Sequence, residues 1–253
     1  MNPGISEPPL KDTRPLAPLI AIEGIDGSGK GTQAALLLQR LCDSGYLSQL
    51  ISFPRYQATF FGARVGEFLN GDFGALSDLH PFLISLLYAG DRFESRQTLC
   101  QARADSQAVI FDRYVASNIA HQCAKVPAAE RDRLQGWIEH VEYTLYELPR
   151  PQQVILLDIS VEHSQELIHR KQQRTYTELA TDLQEADQSY LQAVRDVYLH
   201  LAHSSPDWQI ISVTGDNGQV RLLEDVAEEI WQAVQPVLGS GAGAGAAARQ
   251  ERR

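Results

Sequence analysis

The sequence is short of cysteine, of lysine and of long apolar runs. Its 253 residues hold three cysteines, Cys42, Cys100 and Cys123. That odd number, with no C-x-x-C pair, excludes a disulfide framework and reads as the reduced thiols of a cytoplasmic protein. No apolar run approaches the ~18 residues that a membrane helix requires. The first residues, MNPGISEPPLKDTRPLAP, lack the apolar segment of a secretory signal, and no internal repeat is found. Positive charge is scarce: the formal net charge is −10, which argues against nucleic acid as a partner for the whole surface. Of the 22 basic residues four are Lys and eighteen are Arg. The Arg fork suits oxyanions such as phosphate, so a local anion site fits an otherwise polyanion-repelling surface. What remains is ordinary. A hydrophobic share of 43% and a charged share of 21% suit a globular domain. A chain of this length buries roughly 70–75% of its unfolded surface without staples.

Residues 1–17 carry four prolines and no helical or strand period, and are expected to be a disordered extension. Residues 239–253, GSGAGAGAAARQERR, are a low-complexity Gly/Ala tail. Between them, 18–238 form one expected domain. Five short apolar runs alternate with helical patterns: Leu19–Glu23, Gln49–Phe53, Ala108–Asp112, Val154–Asp158 and Trp208–Val213. Continuous apolar runs suit strands buried on both faces, and the intervals are long enough for crossover helices. Helical spacing marks Gly31–Asp43, Val161–Arg174 behind a Ser160 cap, and Leu222–Val234. The expected fold is α/β: a five-stranded parallel sheet with helices on both faces.

Between the first strand and the first helix stand Gly24, Ile25, Asp26, Gly27, Ser28, Gly29, Lys30, Gly31 and Thr32. Glycines let the backbone wrap its N–H groups round phosphate oxygens, the helix N-terminus adds its positive end, and Lys30 reaches the β/γ-phosphates. A G-x-x-x-x-G-K match in this strand–loop–helix context is a specific signal for nucleotide binding, and the Lys30-Gly31-Thr32-Gln33 ending resembles small nucleotide kinases, which implies the fold of a P-loop nucleotide kinase. One departure is Gly31, which replaces the usual Ser or Thr after the Lys. The hydroxyl that serves Mg²⁺ must then come from Thr32 or act through water.

The acceptor side is more specific. Glu23-Gly24-Ile25-Asp26 opens the loop, Phe53-Pro54-Arg55-Tyr56 follows the second strand, Asp91-Arg92 sits late in a helical stretch, and Asp112-Arg113-Tyr114-Val115-Ala116-Ser117-Asn118 follows the third strand. Ligands of open α/β sheets sit beyond the carboxyl ends of strands, where these segments fall. Arg55 and Arg113 are placed to neutralise an anionic acceptor approaching a γ-phosphate. An already anionic phosphate oxygen needs no general base. In order and spacing, over about residues 18–235, the set resembles the thymidylate (dTMP) kinase family.

The resemblance implies ATP- and Mg²⁺-dependent conversion of dTMP to dTDP by in-line transfer. It implies that Asp26 receives the sugar 3′-hydroxyl near the metal, with Thr32 and Asp112 as the other metal-side residues. Phe53 and Tyr88 would flank thymine, Arg92 would bond the base, and Ser117 and Asn118 would help orient it. Arg113 with Tyr56 would hold the acceptor phosphate, in the dTMP site to which the charge argument above also assigns Arg55. His121 departs from the Tyr or Gln that many relatives carry near the sugar, and leaves the treatment of a 2′-hydroxyl open. Some relatives carry an Arg in the loop where Gly27 stands. Arg170 and Arg174, four apart on a helix face, then resemble the lid arginines of the bacterial type, within a lid at about 170–184. They join Lys30, Arg113 and Asp26 as the catalytic set, with the choice between the two open. A homodimer packed through helices including Pro81–Arg92 is also implied. The other readings are a kinase for a different monophosphate, or an ATP-sensing module without turnover.

Overall fold

The computed structural model describes residues 15–74, 79–172, 188–215 and 217–239. Five strands form a single sheet: β1 (Leu19–Glu23), β2 (Ser48–Ser52), β3 (Ala108–Asp112), β4 (Gln153–Asp158) and β5 (Trp208–Ser212). All pairings are parallel, in the order β2-β3-β1-β4-β5. The helices are α1 (Lys30–Asp43), α2 (Phe60–Leu69), α3 (Pro81–Glu94), α4 (Arg96–Asp105), α5 (Val115–Cys123), α6 (Ala128–Glu139), α7 (Val161–Gln172), α8 (Gln188–His203) and α9 (Leu223–Leu238). A π-helical turn, His140–Leu145, continues α6.

Burial explains the strand patterns. β1 is buried at every position, and β3 and β4 nearly so, because helices cover both faces of the central strands. β2 and β5 are the sheet edges, and their Ser and Gln residues stay partly exposed. β2 begins one residue before its expected start and ends at Ser52. Phe53 lies just outside it but still donates its N–H to the Asp112 carbonyl (3.0 Å). α1 buries Ala34, Leu37 and Leu41 against the core at the spacing read from the sequence. α9 runs four residues past its expected end and through Pro236, with Leu238 packed into the core. A proline near a helix end forfeits few bonds, and apolar burial holds the last turn.

Ala17, at the end of the expected extension, is buried, donates its N–H to the Arg103 carbonyl near the end of α4 (3.0 Å) and accepts from the Arg103 Nε–H (3.3 Å). α7 is capped by Ser160, whose Oγ accepts the His163 N–H (3.4 Å). Its described part ends at Gln172. Most of the expected lid therefore lies outside the described residues. The topology decides where a site can form. From β1 the chain runs to β2 and β3 on one side, then crosses to β4 and β5 on the other. The carboxyl end of β1 is the switch point of the sheet, where a crevice opens.

Candidate functional site

The loop leaving β1 turns on glycines for concrete steric reasons. Gly27 adopts φ +78°, and a Cβ there would stand 2.4 Å from the Ser164 carbonyl oxygen. Ser164 in turn donates its Oγ–H to the Asp26 carbonyl (2.7 Å), so α7 is seated on the loop. This excludes an Arg at position 27 and explains why a loop arginine is missing. Arg170 lies on α7, six residues beyond Ser164 and so about 9 Å further along the helix. Its side chain, and the whole of Arg174, lie outside the described residues. Gly31 is the other close approach: a Cβ there would be 3.1 Å from Asp112 Oδ2. The carboxylate of β3 occupies the space in which a Ser or Thr side chain would otherwise turn. Thr32, next along, is exposed.

Lys30 is buried, donates to the Ile25 carbonyl (2.7 Å) and stands 3.9 Å from Asp26 Oδ1. Burial and the nearby Arg113 guanidinium pull its ammonium down to about 8, against the carboxylates of Asp26, Asp112 and Glu23. Burial pushes the Asp26 carboxyl up, but Arg113 and Lys30 outweigh it and hold Asp26 well below the ordinary range. Arg113 bridges the two halves of the site. One Nη bonds Asp26 closely; the other donates to Ser117 Oγ (3.1 Å), the Gly24 carbonyl (3.3 Å) and His121 Nε2 (3.5 Å). Arg113 is one of two non-glycine residues with positive φ among the described residues. That backbone turn aims it across the end of β1, and strain of this kind gathers at functional sites. Behind it, the buried Glu23 carboxylate accepts from the Tyr114 N–H (2.7 Å), Ser117 Oγ (2.6 Å) and Tyr198 OH (3.0 Å).

The cleft beside Arg113 has a volume of about 130 Å³. Asp26, Phe53, Tyr56, Tyr88, Arg92, Arg113, Ser117, Asn118 and His121 all line it, so the structure brings together residues spread over nearly a hundred positions. Arg55 is the exception: it is not among the residues that line the cleft. Its guanidinium is held by Ser95 Oγ (3.1 Å) and Thr98 Oγ1 (3.5 Å) at the α3–α4 junction, away from the cleft wall. Its backbone N–H is tied to Asp91 Oδ2 (2.8 Å). The Asp91 carboxylate thus fixes the turn that carries Phe53 and Tyr56 into place. Phe53 is 4% exposed and packs against Phe111 and Tyr114, so it is core and cleft wall at once.

His121 is neutral: burial and the Arg113 charge pull its imidazole down to about 3. Arg113 donates toward Nε2, and Nδ1 lies 2.9 Å from the Tyr190 hydroxyl. That hydroxyl donates its one proton to the His121 carbonyl (3.3 Å) and so accepts from Nδ1. Nδ1 therefore carries the proton.

Three polar residues of this region escape sequence reasoning. Gln122 is buried and lines the cleft, and neither end of its amide has a partner among the described residues. Its signal was available: it lies four residues after Asn118, on the same face of α5. Tyr190 and Glu142 come from distant elements with no motif around them. Glu142 is fully buried and paired with Arg92 through both oxygens.

A phosphate-binding loop at the switch point, joined by one arginine to a cleft that couples a cation with amide and aromatic groups, defines a P-loop kinase with an acceptor cleft beside the loop. Comparison with known proteins narrows the class. The thymidylate kinase family model matches residues 22–223. The chain is 30% identical to the thymidylate kinase of Mycobacterium tuberculosis over 80% of its own length and 94% of that protein. It is equally identical to a probable thymidylate kinase of Thermococcus gammatolerans over 88% of its length and 98% of that protein. The solved thymidylate kinase of Candida albicans superposes with a TM-score of 0.64 at 24% identity, covering 87% of this chain and 92% of that one. The chain belongs to the thymidylate kinase family.

Proposed function

We infer that this chain transfers the γ-phosphoryl group of ATP to dTMP, giving dTDP and ADP. The observation that carries the reading is the position of Arg113, which touches the phosphate loop through Asp26 and the cleft wall through Ser117. A cation at that junction offsets the repulsion between two anionic reactants and sets them for in-line transfer. Lys30 sits beneath the loop to hold the β/γ-phosphates. Tyr88 and Phe53 flank the base, and Tyr56 stands beside the acceptor phosphate. Arg92 donates to a carbonyl of the pyrimidine, while Asn118 and Gln122 meet its other polar edges. Asp26 and His121 lie on the sugar side. Arg170, or Arg174, supplies the lid charge that Gly27 cannot.

Mg²⁺ fits the residues present. Among the described residues no group of three or more His, Cys, Asp or Glu could hold a metal. Mg²⁺ needs no such cage, because it keeps several waters and binds through phosphates with one or two protein oxygens. Thr32 and Asp112 would supply those oxygens, Asp26 being already paired with Arg113 and Lys30. When bound, Mg²⁺ neutralises and orients the β- and γ-phosphates.

The active form is a homodimer. α2 and the π-turn pack on α3, and these three elements leave Phe60, Leu83, Phe93 and Leu145 exposed at 63%, 61%, 45% and 60%. That much apolar area is covered by a partner. Placement in the cytoplasm agrees with three free cysteines. No helix among the described residues is long and apolar enough to cross a membrane. A net charge of −10 leaves nucleic acid without an attractive surface.

The test is ADP release from ATP·Mg²⁺ with dTMP, dUMP, dGMP, AMP and UMP offered separately. Preference for dTMP, abolished by Arg113→Ala, is expected. Equal rates with AMP or UMP refute the thymine pocket, and ATP binding without turnover on any acceptor favours a sensing module. Sedimentation of the full chain and of Leu83→Asp reads the dimer.

A further inference from the structure

The polar wall of the acceptor cleft is held from behind by one carboxylate. Glu142 is fully buried on the π-helical turn His140–Leu145, a local distortion of a kind that gathers at functional sites. Its Oε2 takes the Arg92 Nε–H, and its Oε1 takes both Arg92 Nη2 (2.6 Å) and Asn118 Nδ2 (2.9 Å). The same amide nitrogen also donates to the Ser85 carbonyl (3.0 Å). A carboxylate and a backbone carbonyl can only accept, so the nitrogen of Asn118 must face them. Its Oδ1 is forced to the opposite side, where it is buried without a partner among the described residues. Asn118 is 2% exposed and lines the cleft. Arg92 is constrained in the same way: Glu142 engages its Nε and Nη2, leaving the Nη1 edge as the one not committed to that carboxylate.

We propose that Glu142 is the positioning residue for base selection. By locking the Asn118 amide with its oxygen toward the cleft and Arg92 with its Nη1 edge as donor, it selects a pyrimidine with N–H at ring position 3 and a carbonyl beside it. A cytosine-type edge, with a lone pair and an amino group in those places, meets an acceptor opposite its lone pair and a donor opposite its amino group. The inference rests on Asn118 facing the base, as proposed above. Uracil and thymine share the selected edge, so Glu142 discriminates between ring types and is blind to the 5-methyl group.

Glu142→Gln tests this, because a Gln amide can present an N–H to Asn118 Oδ1 where the carboxylate cannot, leaving the Ser85 carbonyl as the only accept-only partner that opposes a turn of the Asn118 amide. The variant is expected to raise kcat/KM for dCMP relative to dTMP by about tenfold or more, chiefly through KM, with the dUMP-to-dTMP ratio unchanged. Glu142→Asp keeps an accept-only partner and is expected to keep the wild-type dCMP-to-dTMP ratio at lower overall affinity. A folded Glu142→Gln enzyme with the wild-type dCMP-to-dTMP ratio overturns the proposal, as does a uniform loss on all acceptors. Asn118→Ala separates the two layers. If it keeps the wild-type ratio, the reading of Asn118 as base contact fails. If it loses the ratio while Glu142→Gln keeps it, only the role of Glu142 fails. Should Glu142→Gln not fold, the side-chain amide signal of Asn118 in the ¹⁵N-labelled wild-type protein decides. Slow exchange before and after dTMP addition supports the lock, and fast exchange in the free protein refutes it.

Discussion

The Lys30 ammonium offers a pH-dependent test of the phosphate site in the free enzyme. Lys30 is buried beside Arg113 and is pulled from its ordinary 10.5 to about 8. It is then roughly nine-tenths protonated at pH 7 and one-tenth at pH 9. ATP binds the protonated form, and its phosphates hold the proton once bound. kcat/KM for ATP should therefore fall about tenfold between pH 7 and 9, while kcat at saturating ATP stays nearly level until higher pH. Asp26, 3.9 Å away, is one of the groups that raise the Lys30 value. Opposite charges at that distance attract by about 4 kcal/mol at an effective dielectric of 20. This is an upper bound, because Asp26 shares its charge with Arg113. Asp26→Asn should move the alkaline limb of kcat/KM to lower pH by about one unit or more, which corresponds to ~1.4 kcal/mol of lost support. Folding stability responds in the opposite sense. Since the folded value lies below the unfolded one, this group costs stability in full below pH 8, and the cost is relieved as pH rises from 8 to 10.5. The assay is steady-state ATP kinetics from pH 6.5 to 9.5 at saturating dTMP, with urea unfolding over the same range. A flat kcat/KM to pH 9.5, or a limb that Asp26→Asn leaves in place, refutes the reasoning.

Gly27→Ala forces a Cβ to within 2.4 Å of the Ser164 carbonyl at φ +78°. It should cost about 1–3 kcal/mol in thermal unfolding and raise KM for ATP. Tyr198→Phe removes the hydroxyl that contacts Glu23 Oε2 (3.0 Å) and Ser117 Oγ (2.8 Å). The expected loss is about 1–3 kcal/mol by urea titration, with a smaller effect on dTMP kinetics because Ser117 still bonds Glu23. His121 is neutral with its charge-bearing form disfavoured down to about 3, so no acid limb near pH 6.5 should appear in kcat/KM for dTMP. A limb there that His121→Gln abolishes would overturn the neutral assignment.

The sequence by itself determined the sheet and the phosphate loop. Strands β1 and β3 coincide with their apolar runs, because central parallel strands need uninterrupted burial on both faces. The loop was legible because its function depends on backbone shape, and backbone shape is written in glycine spacing. Arg92, Arg113 and Asn118 were legible as members of contiguous segments and His121 as a departure just beyond one, and the cleft collects all four. Tertiary structure alone decided which way side chains point. Arg55 and Arg113 follow strand ends in similar fashion, yet Ser95 and Thr98 draw the first aside while the positive φ of Arg113 turns it inward. The partners that fix these groups, Glu142 on a π-turn and Tyr190 at the start of α8, have no local signature. A hydrogen-bond partner is chosen by proximity in the folded chain, and Glu142 reaches Arg92 across fifty residues. Local pattern records how a segment packs, and only the packed molecule records what its side chains meet.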